Sequence, residues 1–171
     1  MSEVRLERPT EAFQVALNHY MSLYKGKPAP GARKLHKYAS DFPGWLKYIK
    51  ELEKDLKTPS TQFVIVRNKD NAVIGMLDAR HTIPSPHLGH IALSIAPTMR
   101  SKGYGYQAAC LAIDYLYESF GIEDILYTCE SENDGACALV QSLGGEYEKT
   151  VLWRKKNLYL DRYWIKAKGV E

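Results

Sequence analysis

The sequence predicts a mixed α/β (α+β) domain in which helices pack on a central mixed sheet. Three observations carry this. Stretches with a 3.6-residue apolar period alternate with short β-branched and aromatic runs. The strand-like runs 72–80 and 89–96 adjoin with no helix between them, which a purely parallel sheet would not permit. The chain has 171 residues, enough for one core without disulfide or metal support, so residues 1–171 read as a single domain.

The elements follow in order. Residues 4–6 open a strand. Pro9 and Thr10 mark a helix start, with Thr10 as N-cap, and Phe13, Leu17, Tyr20, Met21 and Tyr24 recur at helical spacing. Two prolines between Gly26 and Gly31 break the pattern. Asp41-Phe42-Pro43 opens a second helix whose apolar face is Trp45, Leu46, Ile49, Leu52 and Leu56. Its other face, with Lys47, Lys50, Lys54 and Lys57, reads as solvated. Residues 62–67 and 72–80 form a hairpin about the turn 68–71. Residues 83–86 interrupt, and 89–96 is a further strand stopped by Pro97. Ile91, Leu93 and Ile95 take one of its faces, His90, Ala92 and Ser94 the other. Residues 102–120 return to helical period and end at Gly121 as a C′ residue. A strand at 122–129, a short helix at 133–143 backed by Gly144-Gly145, and two strands at 146–153 and 158–167 complete the chain.

Composition excludes several classes. A net charge of +3, from 23 basic and 20 acidic residues, is too mild to indicate a nucleic-acid binder, and no nucleic-acid module is present. No apolar stretch approaches a membrane span, and the first residues carry no apolar segment of a secretory signal. Cys110, Cys129 and Cys137 are odd in number and form no C-x-x-C pair, so neither a disulfide framework nor a zinc site is indicated. No metal is expected, and a reducing, cytoplasmic setting fits.

The chemistry concentrates in residues 93–106. A strand ends at a proline, a basic glycine-containing loop follows, and a helix begins. Gly103 and Gly105 allow a tight turn and a close approach of backbone to ligand. The free N–H groups of the first helical turn, with the helix dipole, form a site for phosphate, and Arg100 and Lys102 add positive charge. A turn that uses glycine for geometry alone is the plain alternative. Gly103-x-Gly105-x-x-Ala108 also matches a dinucleotide fingerprint, but residues 97–102 intervene between its strand and its glycines.

These residues resemble the GNAT superfamily of acyl-CoA N-acetyltransferases, through the R-x-x-G-x-G motif Arg100-Ser101-Lys102-Gly103-Tyr104-Gly105 and the strand Leu93-Ser94-Ile95 before it. Glu130-Ser131-Glu132-Asn133 after a later strand agrees, since the family has an asparagine there that bonds the pantetheine arm. The start of the strand at Gly89-His90-Ile91, the Gly144-Gly145 pair and Arg162-Tyr163-Trp164-Ile165 look like a branch of predicted acetyltransferases within it. The resemblance implies a mostly antiparallel central sheet and transfer of an acetyl group from acetyl-CoA to a primary amine of a small molecule or peptide. It also implies that the pyrophosphate sits on Arg100, Ser101, Lys102, Gly103, Tyr104, Gly105 and Tyr106, with the pantetheine arm along Leu93, Ser94 and Ile95 and on Asn133. A homodimer stays open.

Many relatives have a glutamate base near the start of this strand, where His90 stands here; His90 is a candidate base and equally a half-buried strand histidine. Many also have a tyrosine acid seven residues after the asparagine, and here that position is Val140. Tyr147, Tyr104, Cys137 or water could replace it. Asp78 and His81 are candidates to face the acceptor. A non-catalytic acyl-CoA-binding domain is the alternative function.

Overall fold

The structure, a computed structural model, describes residues 2–168. Strands β1 (Val4–Glu7), β2 (Ser60–Arg67), β3 (Val73–Arg80) and β4 (Ile91–Ile95) form one sheet in that order. Strands β5 (Asp124–Glu130), β6 (Glu146–Trp153) and β7 (Leu158–Lys166) form a second sheet, ordered β5-β7-β6. All pairings in both are antiparallel. The helices are α1 (Gln14–Ser22), α2 (Phe42–Glu53), α3 (Tyr104–Phe120) and α4 (Asp134–Ser142). The mostly antiparallel, helix-flanked sheet expected from the sequence is thus present as two sheets that meet at β4 and β5.

Alternation along the strands creates two apolar layers. Phe63, Ile65, Leu77, Ile91 and Ile95 face α3, whose Ala108 and Ala112 are fully buried and let the helix lie close to the strands. Val140 of α4 joins the same layer. On the opposite face Val64, Val66 and Met76 pack against Leu17 and Tyr20 of α1 and Trp45 and Ile49 of α2. Asp41 Oδ1 caps α2 by accepting from Gly44 N–H at 3.0 Å.

Two local readings are corrected. Leu56 does not join the apolar face of α2: the helix stops at Glu53 and Leu56 is 98% exposed. Asp55 ends the helix, because its carboxylate accepts from the N–H groups of Lys57 and Thr58 at 3.1 and 2.6 Å and so closes a turn. Thr10 precedes a short 3-10 turn at Glu11–Phe13 and makes no side-chain cap bond.

The two sheets are joined beside His90. His90 N–H donates to Leu126 O at 2.8 Å, and Leu126 N–H donates to His90 Nδ1 at 2.9 Å. His90 O accepts from Arg80 N–H at 2.6 Å, which holds the same residue to β3. A Cβ at Gly89 would collide with the Leu126 carbonyl, so glycine permits this approach of β5. Nearby, Thr128 Oγ1 donates to His87 O at 3.1 Å, and the His87 ring stacks on Trp153 with centroids 5.3 Å apart. Beyond Ile91 no ladder joins β4 to β5.

His90 is buried, and desolvation, followed by the nearby Arg80 guanidinium, pushes its pKa down to about 4. The folded protein therefore holds the neutral ring. Its contribution is whole above the ordinary histidine value near ~6.5 and is lost as pH falls toward 4, where only the unfolded chain takes up the proton. The loss over that window is of the order of 3 kcal/mol. Asn at position 90 offers an amide oxygen to Leu126 N–H but does not titrate. Denaturant unfolding at pH 6.5 and pH 4.5 should show the parent losing more stability than His90→Asn; equal losses would refute the coupling.

Candidate active site

Where the strands part, a cleft of about 720 Å³ opens. One wall is β4, contributing Leu93, Ser94 and Ile95. Ala96 N–H donates to Ile74 O at 2.8 Å, so the backbone groups of alternate residues 92, 94 and 96 turn toward β3. Those of Ile91, Leu93 and Ile95 turn the other way, to the gap. β4 thus presents to the cleft an edge that no other strand pairs, with Ile95 O alone taken by the Arg100 side chain.

The floor of the opening is the loop into α3. Arg100, Ser101, Gly103, Tyr104, Gly105 and Tyr106 line it. Ser101 and Gly103 take positive φ, 61° and 83°, a left-handed turn that swings the backbone from the strand end into the helix. The α3 ladder begins with Gln107 N–H donating to Gly103 O, which leaves the N–H groups of Tyr104, Gly105 and Tyr106 without intrahelical acceptors. They sit at the positive end of a 17-residue helix. Arg100 Nε–H donates to Ile95 O at 2.9 Å, tying the loop to the last strand residue and placing a guanidinium beside the helix start. Lys102 is exposed and does not line the cleft.

The other wall is α4 with β5. Asn133 lines the cleft, and its Oδ1 caps α4 by accepting from Ala136 N–H at 3.1 Å. The cap uses the oxygen only, so the amide N–H groups stay available. Gly135, Ala136, Ala138 and Leu139 continue the wall, small side chains apart from the leucine. Val140 is fully buried and does not reach the cleft. Cys137 turns to the back of the helix, with its Sγ 3.1 Å from that of Cys129; both are free thiols.

Two further tyrosines, Tyr24 and Tyr127, complete the opening, and nothing in the sequence marks either for it. Tyr24 borders the cleft beside Ser94, and the buried Tyr20 hydroxyl bridges the two, 2.8 Å from Ser94 Oγ and 3.3 Å from Tyr24 OH. Burial, above all, raises the Tyr20 pKa. Tyr127 enters from β5; its hydroxyl has no hydrogen-bond partner among the described residues, and burial raises its pKa so that the phenol stays protonated. The signal for Tyr127 is its place in the inward alternation Ile125, Tyr127, Cys129, which only the fold connects to the loop at 100–106.

His90 lies at the closed end and does not line the cleft. With Nδ1 accepting from Leu126 N–H, the neutral ring carries its proton on Nε2 and has no free lone pair for another. Of its two readings, the geometry favours the structural one. Asp78 is fully buried on the α1–α2 face, where the Ser60 hydroxyl bonds it and Arg80 and Arg33 stand at 3.5 and 3.6 Å. His81 is on the α3 side, its Nε2 2.7 Å from Thr61 Oγ1 and its ring stacked on Phe120 at 3.9 Å. Among the described residues no group of three His, Cys, Asp or Glu stands together to hold a metal, and no helix is long and apolar enough to cross a membrane.

The arrangement suits a thioester of a long, phosphate-bearing carrier: anion donors at the helix start, an extended strand edge, and a narrow apolar gap. Comparison with known proteins agrees. A search of curated proteins by sequence finds no significant match. Among solved structures, the ribosomal-protein-S5-alanine acetyltransferase of Vibrio fischeri superposes with a TM-score of 0.78 at 15% identity, over 100% of this chain and 97% of that one. RimJ of Mycobacterium smegmatis, in complex with CoA-disulfide, gives 0.75 at 14%, over 96% and 82%. A spermidine N-acetyltransferase SpeG chimera from Vibrio cholerae and hSSAT gives 0.67 at 16%, over 97% of both. At these identities the likeness is one of fold. The family model described as "Acetyltransferase (GNAT) domain" matches residues 10–146, most of the chain, and by that match, on a cleft built for an acyl-CoA, the chain belongs to the GNAT family and is an acetyl-CoA-dependent N-acetyltransferase.

Proposed function

We propose that the chain acetylates an α-amine, the N-terminus of a peptide or protein, by direct attack on the thioester of acetyl-CoA. The observation that carries this is the cleft's shortage of a base. His90, the candidate from the sequence, keeps its proton on Nε2 and its lone pair on Leu126 N–H. An acceptor that is already free base needs no such group. At pH 7.5 roughly a third of an α-amine is unprotonated, against about one lysine-like amine in a thousand.

In this reading the chain's own groups do the following. The N–H groups of Tyr104, Gly105 and Tyr106, with Arg100, hold the pyrophosphate. The edge of β4 at Leu93 and Ile95 holds the pantetheine arm as an added strand, with Asn133 bonding it from the other side. A β4 N–H on the gap side steadies the carbonyl oxygen as the amine nitrogen bonds to the acyl carbon. The carbon–sulfur bond then breaks with its electron pair on sulfur. We assign the proton for that thiolate to Tyr127, whose phenol stands in the cleft where Val140 offers none. The surplus proton of the new amide passes through water to the Tyr127 oxygen and restores the phenol, so the protons balance and no tyrosinate persists. No metal is needed, and the three free thiols suit a reducing, cytoplasmic setting.

Two measurements test these roles. A Cβ at Gly105 would make only ordinary contacts, 3.7–3.8 Å from Ile95, Leu139 and Leu93, so Gly105→Asp should fold and set a carboxylate between the cleft walls. Calorimetry should show CoA binding weakened at least ~10-fold, a change of about 1.4 kcal/mol; undiminished binding would put the carrier elsewhere. Tyr127→Phe should lower kcat by ~10- to 10²-fold with KM for acetyl-CoA nearly unchanged, and an unchanged kcat would remove Tyr127 from the chemistry. Acetyl-CoA bound tightly by the parent with no thiol released to any amine would favour the non-catalytic alternative.

A further inference from the structure

Charge is distributed unevenly around the cleft. Between Glu11 and Asp41 the chain has no carboxylate, while Lys25, Lys27, Arg33, Lys34 and Lys37 all fall there. This segment links α1 to α2 and borders the cleft through Tyr24 and Pro30. At Gly31 it lies flush on the sheet: a Cβ there would come within 2.7 Å of Ala92 O and 2.8 Å of Met76 O. Lys25, Lys27, Lys34 and Lys37 are exposed, and none forms an ion pair. Arg33 has Asp78 as its carboxylate partner, and Asp78 is shared with Arg80. Gln62 pins the segment's backbone, donating from Nε2 to Gly31 O at 2.6 Å and accepting Arg33 N–H at 3.0 Å.

The position of these charges separates them from the carrier's phosphates. The anion donors of the cleft are at the start of α3, on the side of β4 where Leu93 and Ile95 face α3 and α4. The cationic segment lies over the opposite face, that of Ser94, Tyr20 and Tyr24. The face not used by the carrier is the one left for the acceptor. The lysines on and just after α2 differ: Glu51, Glu53 and Asp55 interleave with Lys50, Lys54 and Lys57, so that stretch is close to balanced.

Resting on the reading of an α-amine acceptor, we propose that the segment at 25–37 selects acceptors with acidic residues next to the amine, and disfavours polycations. Four ammonium groups without a carboxylate partner, one of them (Lys34) over the Tyr48 ring, sit on the segment that reaches the opening at Tyr24 and Pro30, and charges within a Debye length of about 8–10 Å of an approaching chain act on it together. They attract a carboxylate-bearing chain and repel a polyamine. The amine itself is not hindered, because it reacts as the neutral base.

The test uses the full chain and thiol release from acetyl-CoA, with peptides that share one N-terminal residue and differ at the next four positions. Peptides with Asp and Glu there should exceed their Gln counterparts in kcat/KM by ~10-fold or more at low salt, with spermidine poorest. The advantage should shrink in 0.5 M salt. A variant with Lys25, Lys27, Lys34 and Lys37 each changed to Gln should lose the preference and keep its CoA affinity. The same change at Lys47, Lys50, Lys54 and Lys57 should keep both. Equal kcat/KM for acidic and neutral peptides would overturn the proposal, as would the α2 variant losing the preference equally. Loss of CoA affinity in the first variant with peptide preference intact would assign the charges to the carrier instead. Tight binding of a polyuridine oligonucleotide in competition with the peptides would assign them to nucleic acid. Failure of the transferase reading is distinct: CoA binds and no peptide releases thiol, and the proposal falls with it.

Discussion

The junction of His90 with Leu126 decides how the rest of the molecule is used. Two strands that meet at one end must either pair along their length or part. Here β4 is held to β5 by two hydrogen bonds at its start, one of them to a side chain, and by none of a regular ladder afterwards. A histidine ring at this point takes the place of a backbone acceptor, and beyond it no ladder joins the two strands. Farther along, α3 and α4 stand over the gap and the backbone edge of β4 remains unpaired. An unpaired edge within a protein is unfavourable unless something pairs with it. In the proposed reading, an extended carrier is what pairs with it.

The same strand supplies the second half of the site. Ile95 ends β4, its carbonyl accepts from Arg100, and within ten residues the chain has turned through positive φ at Ser101 and Gly103 into α3. The strand edge and the helix start are therefore fixed relative to each other by a short covalent link and not by distant packing. A small displacement of the loop would cost a buried contact at Tyr104 or the hydrogen bond of Arg100. This gives preorganisation: the N–H groups point into the cleft before any ligand arrives, and little ordering is left for binding to require.

Much of this was legible in the sequence because it is local. The helix and strand periods, Pro97, and the glycines of the loop are nearest-neighbour features, and the loop's role follows from the elements on either side. What was not legible depends on pairing across the chain. Nothing near His90 says that residue 126 lies beside it, so a strand histidine in a family position where a base is common read equally well as a base. Tyr127 and Tyr24 are 103 positions apart in sequence and border one opening, which only the meeting of the two sheets explains. Leu56 fits the helical period of α2, but Asp55 closes the backbone before that period can continue, a case of side-chain hydrogen bonding overriding amphipathic pattern. The division of one expected sheet into two and the two open readings of His90 meet at the same place, the junction at Leu126.

The α1–α2 side of the first sheet is tied by polar contacts in addition to its apolar layer. Asp78, fully buried between Arg80 and Arg33 and bonded by the Ser60 hydroxyl, adds little to stability by itself, because desolvating three charges offsets most of their attraction. Its effect is on position. Removing Asp78 would leave two guanidinium groups facing each other under the loop, and removing Gln62 would leave Gly31 O and Arg33 N–H without partners. Either change frees the segment that follows α1 from the sheet. Trp45 Nε1–H donating to Arg33 O at 2.7 Å anchors the same segment to α2. A connection whose regular structure is one 3-10 turn, Leu35–Tyr38, is thereby held just before that turn, at Gly31 and at the backbone and side chain of Arg33. A loop that served only to join two helices would not need to be bound so closely to the strand that carries the reaction. Holding it there keeps Tyr24 and Pro30 at the border of the opening beside Ser94.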